Sequence, residues 1–127
     1  MNEGREESDF NAKYIQELLD EGLKNVRRLN DRLRVHGRGG IVLITDGIAG
    51  LDPSSIHQVL GAVASFEAFD ADNDPHGERD CGIVTVAGIE VLWKIDCFDR
   101  SRRFHSPDPS DPKATVRVLT IMRADEY

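Results

Sequence analysis

Long apolar runs and an excess of positive charge are absent from this sequence of 127 residues, and cysteine is scarce. No apolar stretch approaches the roughly 20 residues that a membrane-spanning helix requires, so we expect no membrane span. The first seven residues are acidic and polar, unlike a signal peptide, and the cytoplasm is therefore the expected location. The formal net charge of −7 argues against direct, non-specific binding to nucleic acid.

The two cysteines, Cys81 and Cys97, do not form a recognisable metal site. No tight spacing of cysteine and histidine supplies the four ligands that structural zinc needs. Reduced thiols are expected in a chain without an export signal, although a disulfide between the two is not excluded. The glycine-rich residues 37–40 follow a predicted helix rather than a strand and lack the lysine of a phosphate-binding loop. We expect no cofactor.

Two helices are predicted from the spacing of apolar residues. The first runs from about Asp9, its N-cap, to Val35 and carries an apolar stripe along one face. The second begins at Asp52, whose carboxylate caps it, has Pro53 at its first helical position, and ends near Phe69. Four arginines crowd the last turns of the first helix: Arg27, Arg28, Arg32 and Arg34. The favourable interaction of cations with the end of the helix dipole is the preferred explanation, and a binding patch is the alternative.

Four strands complete the predicted fold, at residues 41–45, 82–86, 89–97 and 115–123. Ala87-Gly88 joins the second and third strands in a hairpin, and alternate residues of the third strand, including Trp93, should face the core. The order α-β-α-β-β-β predicts an α+β fold, with a mainly antiparallel four-stranded sheet and two helices on one face. Residues 1–8 are expected to form a flexible tail, and residues 9–127 a single domain.

The most informative segment is residues 70–80, Asp70-Ala-Asp-Asn-Asp-Pro-His-Gly-Glu-Arg-Asp80, which we call the acidic loop. Its five carboxylates repel one another unless a metal, a basic side chain of the same chain, or a basic surface on another molecule neutralises them. Intramolecular candidates for this neutralisation are Arg79, Arg100, Arg102 and Arg103. A purely structural role is an alternative, because Asp and Asn side chains bind their own backbone in turns.

A calcium-binding EF-hand loop is rejected. Asp70, Asp72 and Asp74 match its first, third and fifth ligand positions, but Pro75 stands where glycine is required and Cys81 where the final glutamate is required. No metal is the preferred expectation. The weak alternative is an irregular oxygen-ligand or transition-metal site formed by Asp72, Asp74, His76 and Glu78.

An enzyme is the less favoured interpretation. His76 would act as general base, Asp80 or Asp96 would orient it, and Ser106 or Cys81 would be the nucleophile. The sequence lacks the sharp strand-turn-helix that usually presents an activated serine. We therefore keep an enzyme only as the alternative to an interaction protein.

Four ordered motifs together resemble a small bacterial family known as a domain of unknown function, the DUF3768 group. They are Asn73-Asp-Pro-His-Gly-Glu-Arg-Asp80, Trp93-Lys-Ile-Asp96, Ser106-Pro-Asp-Pro109 and Val118-Leu-Thr-Ile-Met122. The resemblance covers nearly all of the chain after Gly39. It implies a compact bacterial protein, found on chromosomes and plasmids, and it transfers no catalytic residue.

The preferred hypothesis is a small acidic interaction protein, for example an inhibitor encoded by a mobile element. Its ordered carboxylates would bind a basic surface on a nucleic-acid-binding protein, such as a defence nuclease. The candidate contact residues are Asp70, Asp72, Asp74, Glu78, Asp80, Asp96 and Asp99. The sequence leaves open the partner's identity, the oligomeric state, and whether the acidic loop pairs with the loop at residues 100–113.

Overall fold

The computed structural model describes residues 3–127, and it describes side chains from Asn11 onward. Its elements are α1 (Glu3–His36), β1 (Ile41–Ile44), α2 (Asp46–Ala49), α3 (Pro53–Ala64), β2 (Cys81–Val86), β3 (Ile89–Phe98), β4 (Val116–Arg123) and a 3-10 turn (Ala124–Glu126). The protein has the predicted α+β fold, and each strand boundary lies within one residue of its prediction. The short α2 and the 3-10 turn are additions to the predicted elements.

The four strands form one mixed sheet in the order β1-β4-β3-β2. β2 pairs with β3 and β3 pairs with β4 in antiparallel fashion, whereas β1 runs parallel to β4 with Ile41 opposite Val118. The sheet is therefore mainly antiparallel, as predicted. Its first and last strands along the chain are neighbours, so β1 joins the sheet only through its pairing with the distant strand β4.

The core lies between one face of the sheet and the helices. From β3, Val91 and Trp93 are fully buried and Ile95 is 6% exposed, which confirms the predicted inward face. The remaining residues of the core cluster come from α1, α2, α3, β2 and β4: Leu33, Ile48, Val59, Val63, Val86, Leu119 and Ile121. All three helices therefore pack on the same face. The opposite face is only partly covered, since Leu43 is 49% exposed and Ile83 is 55% exposed.

The first helix is longer than predicted. It begins at Glu3, so the predicted start at Asp9 was wrong, and it ends at His36, one residue beyond the prediction. Residues 1 and 2 of the predicted tail lie outside the described residues, as does the side chain of Asp9. Within the described part of the chain, no helix combines the length and apolar content that a membrane span requires.

The end of α3 also differs from the prediction. The cap at Asp52 is confirmed, but the helix ends at Ala64 rather than near Phe69. After the helix the chain turns so that Phe66 and Phe69 both meet Trp93 edge to face, with ring centroids 5.7 and 6.1 Å away. Such aromatic pairs add about 0.5–1.5 kcal/mol beyond simple burial. The two phenylalanines that lay within the predicted second helix therefore belong to an aromatic cluster after its end.

Candidate functional site

Side chains of α1 fix the position of the acidic loop by binding its backbone. Arg27 Nε donates a hydrogen bond of 2.7 Å to the carbonyl of Gly77, and Asn30 Nδ2 donates one of 3.0 Å to the carbonyl of Glu78. Asn30 is fully buried, so water does not compete for its hydrogen bond. These two hydrogen bonds hold the loop against the helix.

Two aspartates of the acidic loop shape the loop itself. Asp70 Oδ1 accepts hydrogen bonds from the backbone N–H groups of Asp72 at 2.8 Å and Asn73 at 2.9 Å. Asp74 Oδ1 accepts one from the backbone N–H of Arg79 at 3.1 Å. These are the turn-forming contacts of Asp and Asn. They support the structural interpretation for Asp70 and Asp74.

The positive charge of Arg79 is directed toward α1. Arg79 has a left-handed backbone with φ of 55°, and its Nη1 lies 2.9 Å from Asp31 Oδ2. Its guanidinium also lies 5.3 Å from the ring centroid of Phe69. Within the described residues, no carboxylate of the acidic loop forms an ion pair with any of the proposed neutralising arginines: Arg79, Arg100, Arg102 and Arg103. The loop is therefore not neutralised in the expected way.

Two further candidates, Asp96 and Asp99, have local partners. Asp96 Oδ2 forms an ion pair of 3.0 Å with Lys94 Nζ. Asp99 Oδ1 accepts hydrogen bonds from the Ser101 hydroxyl at 2.7 Å and from the backbone N–H of Arg103 at 3.2 Å. The hydroxyl and then the backbone donors lower the pKa of Asp99, because they stabilise its charged form. Asp99 thus orders the start of the loop at residues 100–113.

Three candidate carboxylates are left without such contacts. In the part of the chain that the structure describes, the side chains of Asp72, Glu78 and Asp80 have no hydrogen bond and no ion pair. Asp72 is exposed, whereas Glu78 and Asp80 are half-buried. These three carboxylates are charged groups on a fixed loop with no intramolecular counter-charge in direct contact.

Cys97 lies near several of the candidate carboxylates. Burial raises the pKa of its thiol, the charge of Arg117 opposes this, and the carboxylates of Glu78, Asp80 and Asp96 raise it further. Burial likewise raises the pKa of Cys81, which is also a free cysteine. A raised thiol pKa disfavours the thiolate, which is the nucleophilic form. Neither cysteine is therefore in an environment that would activate it.

The groups named for the alternative enzyme are not assembled. His76 is exposed and has no hydrogen bond to any described residue, so neither Asp80 nor Asp96 orients it. Ser106 is 4% exposed, and its hydroxyl lies 2.7 Å from that of Thr115, which gives it a structural role. Among the described residues, no three His, Cys, Asp or Glu side chains are arranged to hold a metal ion. The weak metal candidates Asp72, Asp74, His76 and Glu78 are thus not brought together.

Two buried arginines have structural roles that were not predicted. Arg34 is 6% exposed, and its Nη1 donates hydrogen bonds to the carbonyls of Val63, Ala64 and Phe66 at 3.0, 3.0 and 2.8 Å. It therefore caps the C-terminal end of α3, and the dipole of its own helix does not explain it. No short sequence motif indicates this role of Arg34.

Arg117 is 2% exposed. Through Asn30 it connects the acidic loop to the loop at residues 100–113, which we call the proline-rich loop. Its Nε donates a hydrogen bond of 2.7 Å to Asn30 Oδ1, and its Nη2 donates another to the carbonyl of Pro109. Because Asn30 also binds the carbonyl of Glu78, one buried relay joins the acidic loop to the proline-rich loop. The sequence pattern indicated this burial. Arg117 and Leu119 are two residues apart in β4, so their side chains share one face of the sheet, and Leu119 belongs to the core.

A groove of about 400 Å³ lies where α1 meets both loops. Its apolar floor comes from α1 and includes Leu18, Leu19, Leu23 and Val26. Glu78 of the acidic loop and Asp108 of the proline-rich loop lie at its border. An apolar floor with acidic residues at the border suits a partner whose apolar side chains are flanked by cations.

Comparison with known proteins supports the resemblance noted in the motifs. The model of a family described as protein of unknown function (DUF3768) matches residues 44–126, which include the acidic loop and strands β2, β3 and β4. Neither the curated proteins nor the solved structures give a significant match. The family match covers well over half of the chain. The chain therefore belongs to the DUF3768 family of proteins of unknown function.

Proposed function

We propose that this protein is an interaction protein whose acidic loop binds a basic surface on a protein partner. The observation that carries the proposal is the contrast between the fixed backbone of the loop and its free carboxylates. Arg27 and Asn30 hold the backbone, while Asp72, Glu78 and Asp80 have no direct counter-charge in the described chain. A loop that is already ordered loses little conformational entropy on binding.

The expected contribution of these carboxylates is chiefly to association rate and partner choice. An exposed ion pair adds only about 0–1 kcal/mol, because water and salt screen it. Complementary surfaces raise the rate of encounter, and this effect falls as ionic strength rises. Binding to the partner should therefore weaken strongly with salt.

The preferred partner is a nucleic-acid-binding protein. Its basic groove normally accepts phosphates, and a fixed row of carboxylates offers negative charge to the same groove. An inhibitor of a defence nuclease, encoded by a mobile element, is the most specific form of the proposal. The net charge of −7 supports a basic partner rather than direct nucleic-acid binding. No geometric observation favours the enzyme alternative, because His76 is exposed and unsupported.

Photo-crosslinking tests this proposal first with every carboxylate of the acidic loop in place. A benzophenone amino acid placed at Ala71, which is exposed within the loop, should capture a protein with a basic surface from bacterial lysate. An added polyanion such as heparin should compete, and Asp72→Asn, Glu78→Gln and Asp80→Asn together should strongly reduce capture.

The matched control carries the same change in net charge at exposed positions elsewhere: Asp46→Asn, Glu90→Gln and Asp125→Asn. It should leave capture intact. Equal capture by the loop variant and by the unmodified loop would contradict the proposal. A captured partner without a basic surface would do so as well.

A further inference from the structure

The N-terminal half of α1 exposes an apolar stripe. Every residue from 11 to 21 is exposed, and four of them are large and apolar: Tyr14 at 56%, Ile15 at 54%, Leu18 at 55% and Leu19 at 61%. More than half of the surface of each of these side chains is exposed. Contiguous apolar surface of this kind marks an interaction site in a folded protein.

The exposed stripe continues the face that packs on the core. Farther along α1, Val26, Leu29 and Leu33 lie on that same face and are 9%, 5% and 0% exposed. At the helical repeat of 3.6 residues, Ile15 and Leu19 fall in line with them. The helix therefore carries a core-facing stripe past the point where its own domain ends.

The charges of α1 divide between its two halves. Among the residues whose side chains are described, residues 11–21 hold three acidic residues against Lys13, whereas residues 22–36 hold five lysines and arginines against Asp31. Lys24, Arg28 and Arg32 are all exposed and lie one helical turn apart. An antiparallel arrangement of two such helices sets the acidic half of each beside the basic half of the other. It also opposes the two helix dipoles.

We propose that two copies of this chain pair through antiparallel α1 helices, with Leu18 and Leu19 near the two-fold axis. Residues 11–19 of one copy then lie along the groove of the other. The interface is self-complementary in both apolar surface and charge, as a two-fold dimer requires. This inference does not rest on the partner proposed for the acidic loop.

Sedimentation equilibrium of the full chain tests the pairing over a range of concentrations. The wild-type chain should have twice its monomer mass, and the dimer should weaken between about 0.01 and 1 M salt, where the Debye length falls from roughly 30 to 3 Å. Leu18→Glu should raise the dimer Kd at least about 100-fold, because the change removes a buried leucine from both copies. The matched control is Leu60→Glu, at a 41% exposed leucine on α3, which should leave the dimer intact.

The orientation of the helices is tested by Arg28→Gln combined with Arg32→Gln. Antiparallel pairing predicts a weaker dimer, because attraction to the acidic half is lost. Parallel pairing predicts a stronger one, because repulsion between two basic halves is relieved. A monomer at every concentration, a dimer that tolerates Leu18→Glu, or a dimer strengthened by the double change would overturn the proposal. The pair Asp72→Asn and Asp80→Asn should leave the dimer unchanged, which separates this result from the test of the acidic loop.

Discussion

Replacement of Arg34 by methionine tests whether its guanidinium holds the end of α3. Nη1 donates to three carbonyls at the end of that helix, at 2.8 to 3.0 Å. The guanidinium also lies 5.3 Å from the ring centroid of Trp93 and 5.4 Å from that of Phe69. Methionine keeps much of the length and apolar volume, so the substitution removes the donors with little change in packing.

The expected cost is about 3 kcal/mol of unfolding free energy. Hydrogen bonds to a charged donor contribute about 1.5–3 kcal/mol each, but the three carbonyls share one nitrogen and their energies do not add fully. Arg34 Nε is buried without a hydrogen bond, which offsets part of the gain. The substitution also removes the ion pair of 3.2 Å between Arg34 Nη2 and Asp31 Oδ1, so the net value falls near the lower end of the range of about 3–5 kcal/mol for breaking a buried charged pair. For a chain of this length it corresponds to a decrease of roughly 10 °C in Tm.

Urea unfolding measures this cost, with Arg32→Met as the control because Arg32 is exposed on the same part of α1. Both proteins should carry Leu18→Glu, so that pairing of α1 does not contribute to stability. A dipole effect alone predicts a similar loss of about 0.3–1 kcal/mol for both substitutions. The capping role of Arg34 is refuted if the two losses agree within about 1 kcal/mol.

Three further substitutions have expected outcomes. Gly82→Ala places a Cβ 2.7 Å from Trp93 Nε1, so it should lower the free energy of unfolding, measured in urea, by about 1–3 kcal/mol. Gly61 of α3 has open space around it, so Gly61→Ala should raise the free energy of unfolding by about 0.5–1 kcal/mol. An equal effect of the two changes would contradict the packing at Trp93. The pKa of Glu126 is lowered by hydrogen bonds, and the backbone N–H of Arg123 has the largest effect. The contribution of Glu126 to the free energy of unfolding is therefore present above the unfolded pKa of about 4.3 and is lost as the pH falls. The difference in free energy of unfolding between wild type and Glu126→Gln should therefore shrink below that pH. A constant difference would contradict the predicted contribution of the Glu126 carboxylate.

The sequence was most informative where side-chain periodicity is simple. Alternation in β3 correctly predicted that Val91, Trp93 and Ile95 face the core, because successive side chains of a strand point to opposite faces. The cap at Asp52 was correct for a similar reason, since helix starts have local requirements. Local chemistry thus predicted the elements and the α+β class.

Longer-range features were not predictable from local patterns. The parallel pairing of β1 with β4 depends on contacts between distant segments, which periodicity does not encode. Phe66 and Phe69 were predicted to lie in the second helix but pack around Trp93 after its end. At the candidate site, the turn-forming roles of Asp70 and Asp74 follow from residue type, whereas the burial of Arg34 depends on the position of α3. The assignment of partner-binding residues stays a prediction.

The neighbouring positions of β1 and β4 impose an order on folding during synthesis. β1 leaves the ribosome well before β4, the strand with which it pairs. At about 5–20 residues per second, the apolar strand Ile41–Ile44 waits roughly 4–15 s for its partner. During that interval its backbone groups are open to pairing with other nascent chains. Loss of the C-terminal strand would leave both β1 and β3 without their shared neighbour, so a truncated product should aggregate rather than fold in part.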